Sequence, residues 1–332
     1  MKFGAFVPQG WRLDLTRVEP GHSQYLAMRD VALRLEEAGY DGLWLYDHFH
    51  TIPEARLEPT FECWTTCAAL AEATSTIRIG QMVGCNIYRN PAVLAKMATT
   101  LDVISSGRLD FGLGAGWYEH ETVAYGFEFE RPALRIRKLE EALSVIRGMW
   151  TEDHFQFEGR FYKIGKGRAR DFRGQEVELA GAINHPKPVQ KPHPPIWVGG
   201  GGEQLTLRVV ARHADWSNYG GPLEVILHKN EVLDEHCRDL GRDPASLRRS
   251  ASINVMFGSR QEVHALMRDQ GRSEQDVEGW LRTAFIGEAG PMVEKLLRFR
   301  DQGRIEYVHV YFPDAVEGHS LERFAAEVMP HL

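Results

Sequence analysis

Cysteine is scarce: Cys63, Cys67, Cys85 and Cys237 are the only four in 332 residues. Their spacing matches no disulfide framework, and a chain of this length buries enough surface to fold without covalent staples. Cys63 and Cys67 would share one face of a helix as small apolar fillers. No neighbouring His or Cys completes a metal set around them. Long apolar runs are missing too. None approaches 18 residues, about the length a membrane-spanning helix needs. The opening, Met1 to Trp11, holds one Lys and a short apolar stretch broken by Gly4, too little for a secretion signal. Dense basic runs are also absent. Net charge is −7, from 39 basic and 46 acidic residues. Arg168, Arg170 and Arg173 come closest to a cluster, and Asp171 interrupts them. A duplex-binding groove needs a concentrated basic face, so nucleic acid is excluded as a partner. The expected setting is a reducing cytoplasm, with no membrane partner.

What the chain does have is rhythm. Hydrophobic residues make up 43% and charged residues 26%, the balance of a globular protein. Short apolar runs alternate with amphipathic stretches. Lys2 to Val7 reads as a buried strand that stops at Pro8. Ser23 to Ala38 has helical periodicity, and Gly39 supplies the stop. Pro91 to Ile104 reads as a helix with Pro in its first turn. Eight strands are expected to start near residues 2, 42, 77, 108, 195, 214, 250 and 306, each followed by a helix. Eight parallel strand–helix units predict a single α/β domain, a closed (β/α)8 TIM barrel over residues 1–332. The surplus length falls in a polar insertion at 152–192, after the fourth unit, and in an extra helix near 260–280. An open doubly wound sheet is the alternative. It would carry a glycine fingerprint after the first strand, where this chain has Val7–Pro8–Gln9–Gly10.

A barrel places its chemistry where the strands end. Strand 2 ends at Asp47–His48–Phe49–His50, strand 3 at Met82–Val83–Gly84, and strand 4 at Gly114–Ala115–Gly116–Trp117–Tyr118–Glu119–His120–Glu121. Strand 5 ends in four glycines, Gly199, Gly200, Gly201 and Gly202, expected to run straight into a helix at Glu203. Bare backbone leading to a helix N-terminus suits a phosphate, although a flexible turn has the same composition. Asp47 beside His48 can orient an imidazole that titrates near neutral pH. His48 and His50 also raise a metal-hydrolase reading. Its later ligands are poor, since only Asp314 stands at a strand end. Glu119, His120 and Glu121 offer a proton donor at the mouth, or simply a solvated loop. The rim is rich in aromatics: Trp11, Trp44, Phe49, Tyr88, Trp117, Tyr118, Tyr219 and Phe312, with a core position as the alternative for Trp44. A planar ring cofactor fits such a slot.

Several segments together resemble the luciferase-like monooxygenase superfamily, in its coenzyme F420-dependent oxidoreductase branch. They are the opening MKFGAFVPQGW, WLYDHF (Trp44 to Phe49), IGQMVGCNIYRNPAVLAK (Ile79 to Lys96), SGRLDFGLGAGWYEHE (Ser106 to Glu121), AYGFEF (Ala124 to Phe129) and the late PKPVQKPHPPIWVGGGGEQLTLRVVARHADWSN (Pro186 to Asn218). The resemblance implies the barrel with its insertion. It implies a ring cofactor in the mouth, contacted by Asp47, Gly84, Gly116, Trp117 and His120. His48 would handle a proton. A non-proline cis peptide at Met82–Val83 would back the ring, and a phosphate tail would run toward Gly199 to Gly202. The implied reaction is hydride transfer between the deazaflavin C5 and a small organic substrate. An FMN-dependent monooxygenase using O₂ and a non-catalytic flavin or deazaflavin carrier are the alternatives. Sugar-phosphate dehydrogenases of the branch carry a glutamate where this chain has Trp117, so Glu119 or Glu121 would have to supply the acid. The resemblance further implies a homodimer through helices 62–73 and 91–104. The basic residues of the insertion, Lys163 to Arg173, suit an anionic ligand or a solvated lid.

Overall fold

A computed structural model describes all 332 residues. Eight parallel strands close into a ring: β1 Lys2–Phe6, β2 Gly42–Leu45, β3 Arg78–Gln81, β4 Leu109–Gly114, β5 Ile196–Gly199, β6 Trp216–Asn218, β7 Arg248–Met256 and β8 Tyr307–Tyr311. They pair in chain order, and β8 returns to β1 in the register Lys2↔Tyr307. The β4–β5 pairing, Ile196↔Phe111, spans the long insertion, so the circle has no open edge. A doubly wound sheet is thereby excluded.

Helices α1 His22–Glu37, α2 Cys63–Ala73, α3 Pro91–Ile104, α4 Pro132–Thr151, α5 Thr206–His213, α6 Leu223–Asp239, α7 Ala289–Asp301 and α8 Ser320–Glu327 form the outer layer. Their starts follow local chemistry. Asn90 caps α3 by accepting from the Ala92 amide, with Pro91 in the first turn. Glu62 caps α2 by accepting from the Trp64 and Thr65 amides. Apolar side chains between strands and helices form the main core of 61 buried residues, which include Cys63, Cys67 and Cys237. All four cysteines are free thiols. No helix is long and apolar enough to cross a membrane.

The inside of the barrel is aromatic. Trp197 stacks on Trp216 at 4.3 Å, and Trp44 meets Trp197 edge-on at 5.0 Å. The Trp44 indole N–H donates to the Tyr307 hydroxyl at 2.9 Å. Gly80 leaves the room that Trp44 needs, since a Cβ there would stand 2.3 Å from the indole. His309 is enclosed by these rings, and burial pushes its imidazole down to about 3. Trp44, Tyr219 and Phe312 are therefore core residues and not part of an aromatic rim.

The insertion between α4 and β5 forms two small antiparallel hairpins, Phe157–Glu158 with Lys163–Ile164 and Arg168–Arg170 with Glu176–Glu178. Its later part is pinned to the barrel: Asn184 donates to Thr99, and Gln190 to Asp102. Three of its basic residues face acids of the same segment, Lys163 and Lys166 toward Glu158, and Arg168 toward Glu176. Between β7 and α7 stand two extra helices where one was expected, Arg260–Asp269 and Glu274–Thr283, with a small apolar cluster of their own.

Candidate active site

The strand C-termini surround a cavity of about 550 Å³. One wall is backbone. The glycines at 199–202, Gly114 and Gly116 line it, with Thr206 and Arg135 beyond them. Met82 and Val83 also line it, and the bond between them is cis. Val83 stands as a ridge between two strands that both lack side chains at that level. A Cβ on Gly114 would lie 2.6 Å from Val83 Cγ2, and one on Gly199 would lie 2.9 Å from Cγ1. The G-x-G pattern of β4 is thus a clearance for this ridge and for the Gln81 carbonyl behind Gly112. Gly200 sits at φ +126°, a region that favours glycine, and donates its N–H to the Asn218 carbonyl. The amides of Gly201 and Gly202 and the Thr206 hydroxyl have no partner within the chain. The glycines do not run straight into the helix, as the sequence reading expected. Three residues intervene and α5 begins at Thr206, because no side chain in the Gly202–Leu205 turn caps it earlier. Gly84 does not line the cavity: it pairs with Leu113 on β4.

The opposite wall carries side chains: Arg12, Tyr46, Asn218, Ser252, Asn254 and Tyr311. Gln9 fixes the exit of β2 from behind. Its amide nitrogen donates to the Tyr46 and Phe61 carbonyls, and its oxygen accepts the Tyr46 amide. Tyr46 is stacked on Phe6 at 4.2 Å. Trp117 closes the rim and is 59% exposed.

Asp47 does not reach the cavity. It is buried under a bidentate Arg89 at 2.6 and 3.1 Å and accepts the Cys85 amide at 2.8 Å. Burial pushes its carboxyl up, and Arg89 works against that. Arg89 continues to Glu62 at 2.6 Å, so Asp47 ties the exits of β2 and β3 to the start of α2.

His48 stands at the rim. Its ring lies flat on Trp11 at 4.2 Å and meets Trp117 edge-on at 5.5 Å. Its Nδ1 faces Glu121 Oε1 at 2.5 Å. Glu121 is fully buried and accepts further from the Tyr88 hydroxyl at 2.6 Å and the amides of Phe49 and His50 at 2.7 and 3.0 Å. Burial alone would raise this carboxyl. The bonds from His48, Tyr88 and Phe49 outweigh it and hold it below the usual range. Glu121 thus faces His48 Nδ1 from within a closed set of donors. The other ring nitrogen, Nε2, has no partner in the chain. Glu119 and His120 sit on the short helix Glu119–Ala124, exposed and outside the cavity. His120 meets His50 through their Nδ1 atoms at 3.0 Å. His48 and His50 thus turn to different partners and share no focus for an ion. Asp314 accepts from the Ser320 amide, away from both.

With that geometry in place, comparison with known proteins is direct. The model of the luciferase-like monooxygenase family matches residues 1–287. The chain belongs to this family. Among luciferase-like relatives, an uncharacterized protein of Mycobacterium tuberculosis is 33% identical over 201 residues, 56% of this chain and 64% of that one. The match thus spans just under two thirds of that relative's length. An F420-dependent glucose-6-phosphate dehydrogenase of Intrasporangium calvum is 25% identical over 338 residues, covering 97% of this chain and 98% of the other. An F420-dependent secondary alcohol dehydrogenase, solved with an F420-acetone adduct, superposes with TM-score 0.79 at 18% identity, over 99% and 98% of the two chains. At that identity the structural likeness speaks for the fold alone. The luciferase-like scaffold accounts for the barrel. The side-chain wall is where the sequence reading fell short. Arg12, Tyr46, Tyr311 and Arg135 were not singled out, and neither was Tyr88 as a partner of Glu121. The only signal available for Arg12 and Tyr46 was their place at the ends of β1 and β2.

Proposed function

We propose that this chain is an oxidoreductase that uses coenzyme F420 and passes a hydride between the deazaflavin and a small organic substrate. The observation that carries this reading is the glycine wall with the Val83 ridge. It is a wall of bare backbone and one β-branched side chain, facing a cavity large enough for a ring and a second molecule. The F420-dependent relative matched over nearly the whole chain supports the choice of ring. When bound, the deazaflavin supplies a carbon that gives or accepts a hydride.

The chain's own residues do the rest. Met82 and Val83 back the ring. The amides of Gly201 and Gly202, the Thr206 hydroxyl and the Arg135 guanidinium hold its anionic tail. Arg135 suits this role, because its Nε and Nη1 are fixed on the carbonyls of Gly116 and Glu130 and no carboxylate pairs with it. Trp117 and Tyr46 shield the reacting pair from water. His48 moves a proton at Nε2, with Glu121 and Tyr88 setting its tautomer. Glu119 is too exposed to serve as the acid that Trp117 replaces. We also propose that the chain works as a homodimer through α2 and α3.

A second reading keeps the same cradle and takes FMN with O₂, in line with the monooxygenases for which the family is named. Titration of the purified chain with F420 and with FMN separates the two. The expected result is saturable F420 binding in the micromolar range and weaker FMN binding. FMN binding with no response to F420 would overturn the proposal. Tight binding of either ring with no turnover on any alcohol, aldehyde, imine or enone would point to a carrier.

A further inference from the structure

We propose that the substrate of this site is a small organic anion, whose carboxylate or phosphate end seats on Arg12 against the side-chain wall. The inference rests on the oxidoreductase reading and adds to it the chemical class of the second ligand.

Arg12 is held as a binding group is held. Its guanidinium carbon lies 4.5 Å from the Tyr311 ring centre, 5.0 Å from Tyr46 and 5.1 Å from Trp11. Three aromatic faces fix the plane of the fork and leave its edge toward the cavity, which it lines. Its one side-chain partner is Asn254, a neutral amide at 3.4 Å. Its Nε is buried and has no acceptor.

The charge around it does not balance. Arg272 packs behind, donating to the Arg12 carbonyl at 2.6 Å and to the Tyr311 hydroxyl at 2.9 Å, and its own Nε is also without an acceptor. Asp14 is the carboxylate that feels both cations. It is buried, it accepts the Gly10 amide, and it forms an ion pair with neither arginine. Two guanidinium groups thus face one carboxylate. Nothing else lining the cavity offers compensation: its ionisable groups are two arginines and two tyrosines, with no Asp or Glu. A half-buried cation fixed in place, sharing one unpaired carboxylate with a second guanidinium, is an anion site, and guanidinium binds oxoanions through paired N–H bonds.

The two arginines stand on different walls. Arg135 lies beside the glycine wall and Arg12 across the cavity, among the ends of β1, β2, β7 and β8. One anionic tail on each wall leaves the space between them for the reacting centres.

The test is calorimetric titration of the purified chain with succinate, inorganic phosphate and the neutral analogue succinamide. Wild type is expected to bind at least one of the anions and not succinamide. Arg12→Gln is expected to weaken anion binding about tenfold or more, and Arg12→Lys less, because the charge remains without the fork. Asn254→Asp is the second arm. It is isosteric and sets a carboxylate beside Arg12, so it should abolish anion binding even if Arg12→Gln folds poorly. F420 affinity should change less than about twofold in both variants. The proposal is overturned if no anion binds, if succinamide binds equally, or if the variants bind anions as wild type does. It is overturned too if Arg12→Gln weakens F420 as much as succinate, which would give Arg12 to the cofactor tail. If wild type fails to bind F420 while anions still titrate on Arg12, the cofactor reading falls and the anion site stands.

Discussion

His48 and Glu121 are 73 residues apart and meet only because β2 and β4 leave the barrel on the same face. Under the proposed function their geometry suits different duties. His48 keeps Nε2 free at the rim. Glu121, closed in by four donors, fixes the ring. Replacing His48 with Ala should lower turnover about a hundredfold while leaving F420 affinity nearly unchanged. Equal losses in both, read from steady-state kinetics and fluorescence titration, would make it a binding residue. Glu121→Gln has a second signature. The carboxyl is depressed in the folded chain, so its stabilising contribution is present above the ordinary glutamate range and is lost as pH falls through the depressed value. The variant should be less stable than wild type by about 1–3 kcal/mol near neutrality, with the gap closing on acidification. Urea denaturation at both pH values measures this. A gap that persists in acid would mean that packing, not charge, was lost. The sequence marked both residues but did not rank Glu119 against Glu121. That ranking needs the short helix on which residues two apart face different ways, one into Tyr88 and one into solvent. Arg12 was illegible for another reason: a lone arginine carries no pattern, and its meaning lies in the three rings folded around it.

At the scale of elements, the alternation of apolar runs and amphipathic stretches was enough to read eight β/α units, because each strand is buried on both faces and each helix on one. The end of β5 was harder. Four glycines mark bare backbone but do not show where the next helix begins, and α5 starts three residues later than the pattern implied. The glycines of β4 were ambiguous in the same way, since a dinucleotide loop and a steric clearance share one composition. Their neighbours decide it. Gly114→Ala puts a methyl group 2.6 Å from Val83 Cγ2 on a β-branched side chain with little freedom to turn. It should destabilise the fold by about 1–3 kcal/mol, measured by thermal or urea unfolding. A neutral effect would mean that the ridge can move. Gly200→Val tests the other side of the cradle. At φ +126°, with Thr206 Cγ2 at 3.1 Å from the new Cβ, it should weaken F420 binding about tenfold or more. Unchanged affinity would remove the tail from this wall.

For the whole molecule, net charge is −7, so attraction for an anionic ligand has to be local. Arg12 and Arg135 inside the cavity provide it. The insertion lines no part of that cavity, and three of its basic residues, Lys163, Lys166 and Arg168, are answered by Glu158 and Glu176. One outer face departs from this polar surface. Along α3, Val93, Met97, Thr100 and Ile104 follow a helical stripe, with Val93 56% and Ile104 42% exposed and Val103 beside them. A stripe of this kind on the outer layer of a barrel is costly to leave in water and inexpensive to cover with a second copy, since a twofold pairing brings the same stripe to meet itself. If the dimer forms there, charges on the stripe should split it without harming the barrel, because neither side chain belongs to the core. Sedimentation of the wild-type chain should give twice the mass expected from 332 residues. Val93→Glu combined with Ile104→Glu should give the single mass with an unchanged unfolding temperature. A wild-type monomer at micromolar concentration would end the dimer proposal. A variant that stays dimeric would move the interface off α3, and one that unfolds would assign the stripe to the fold.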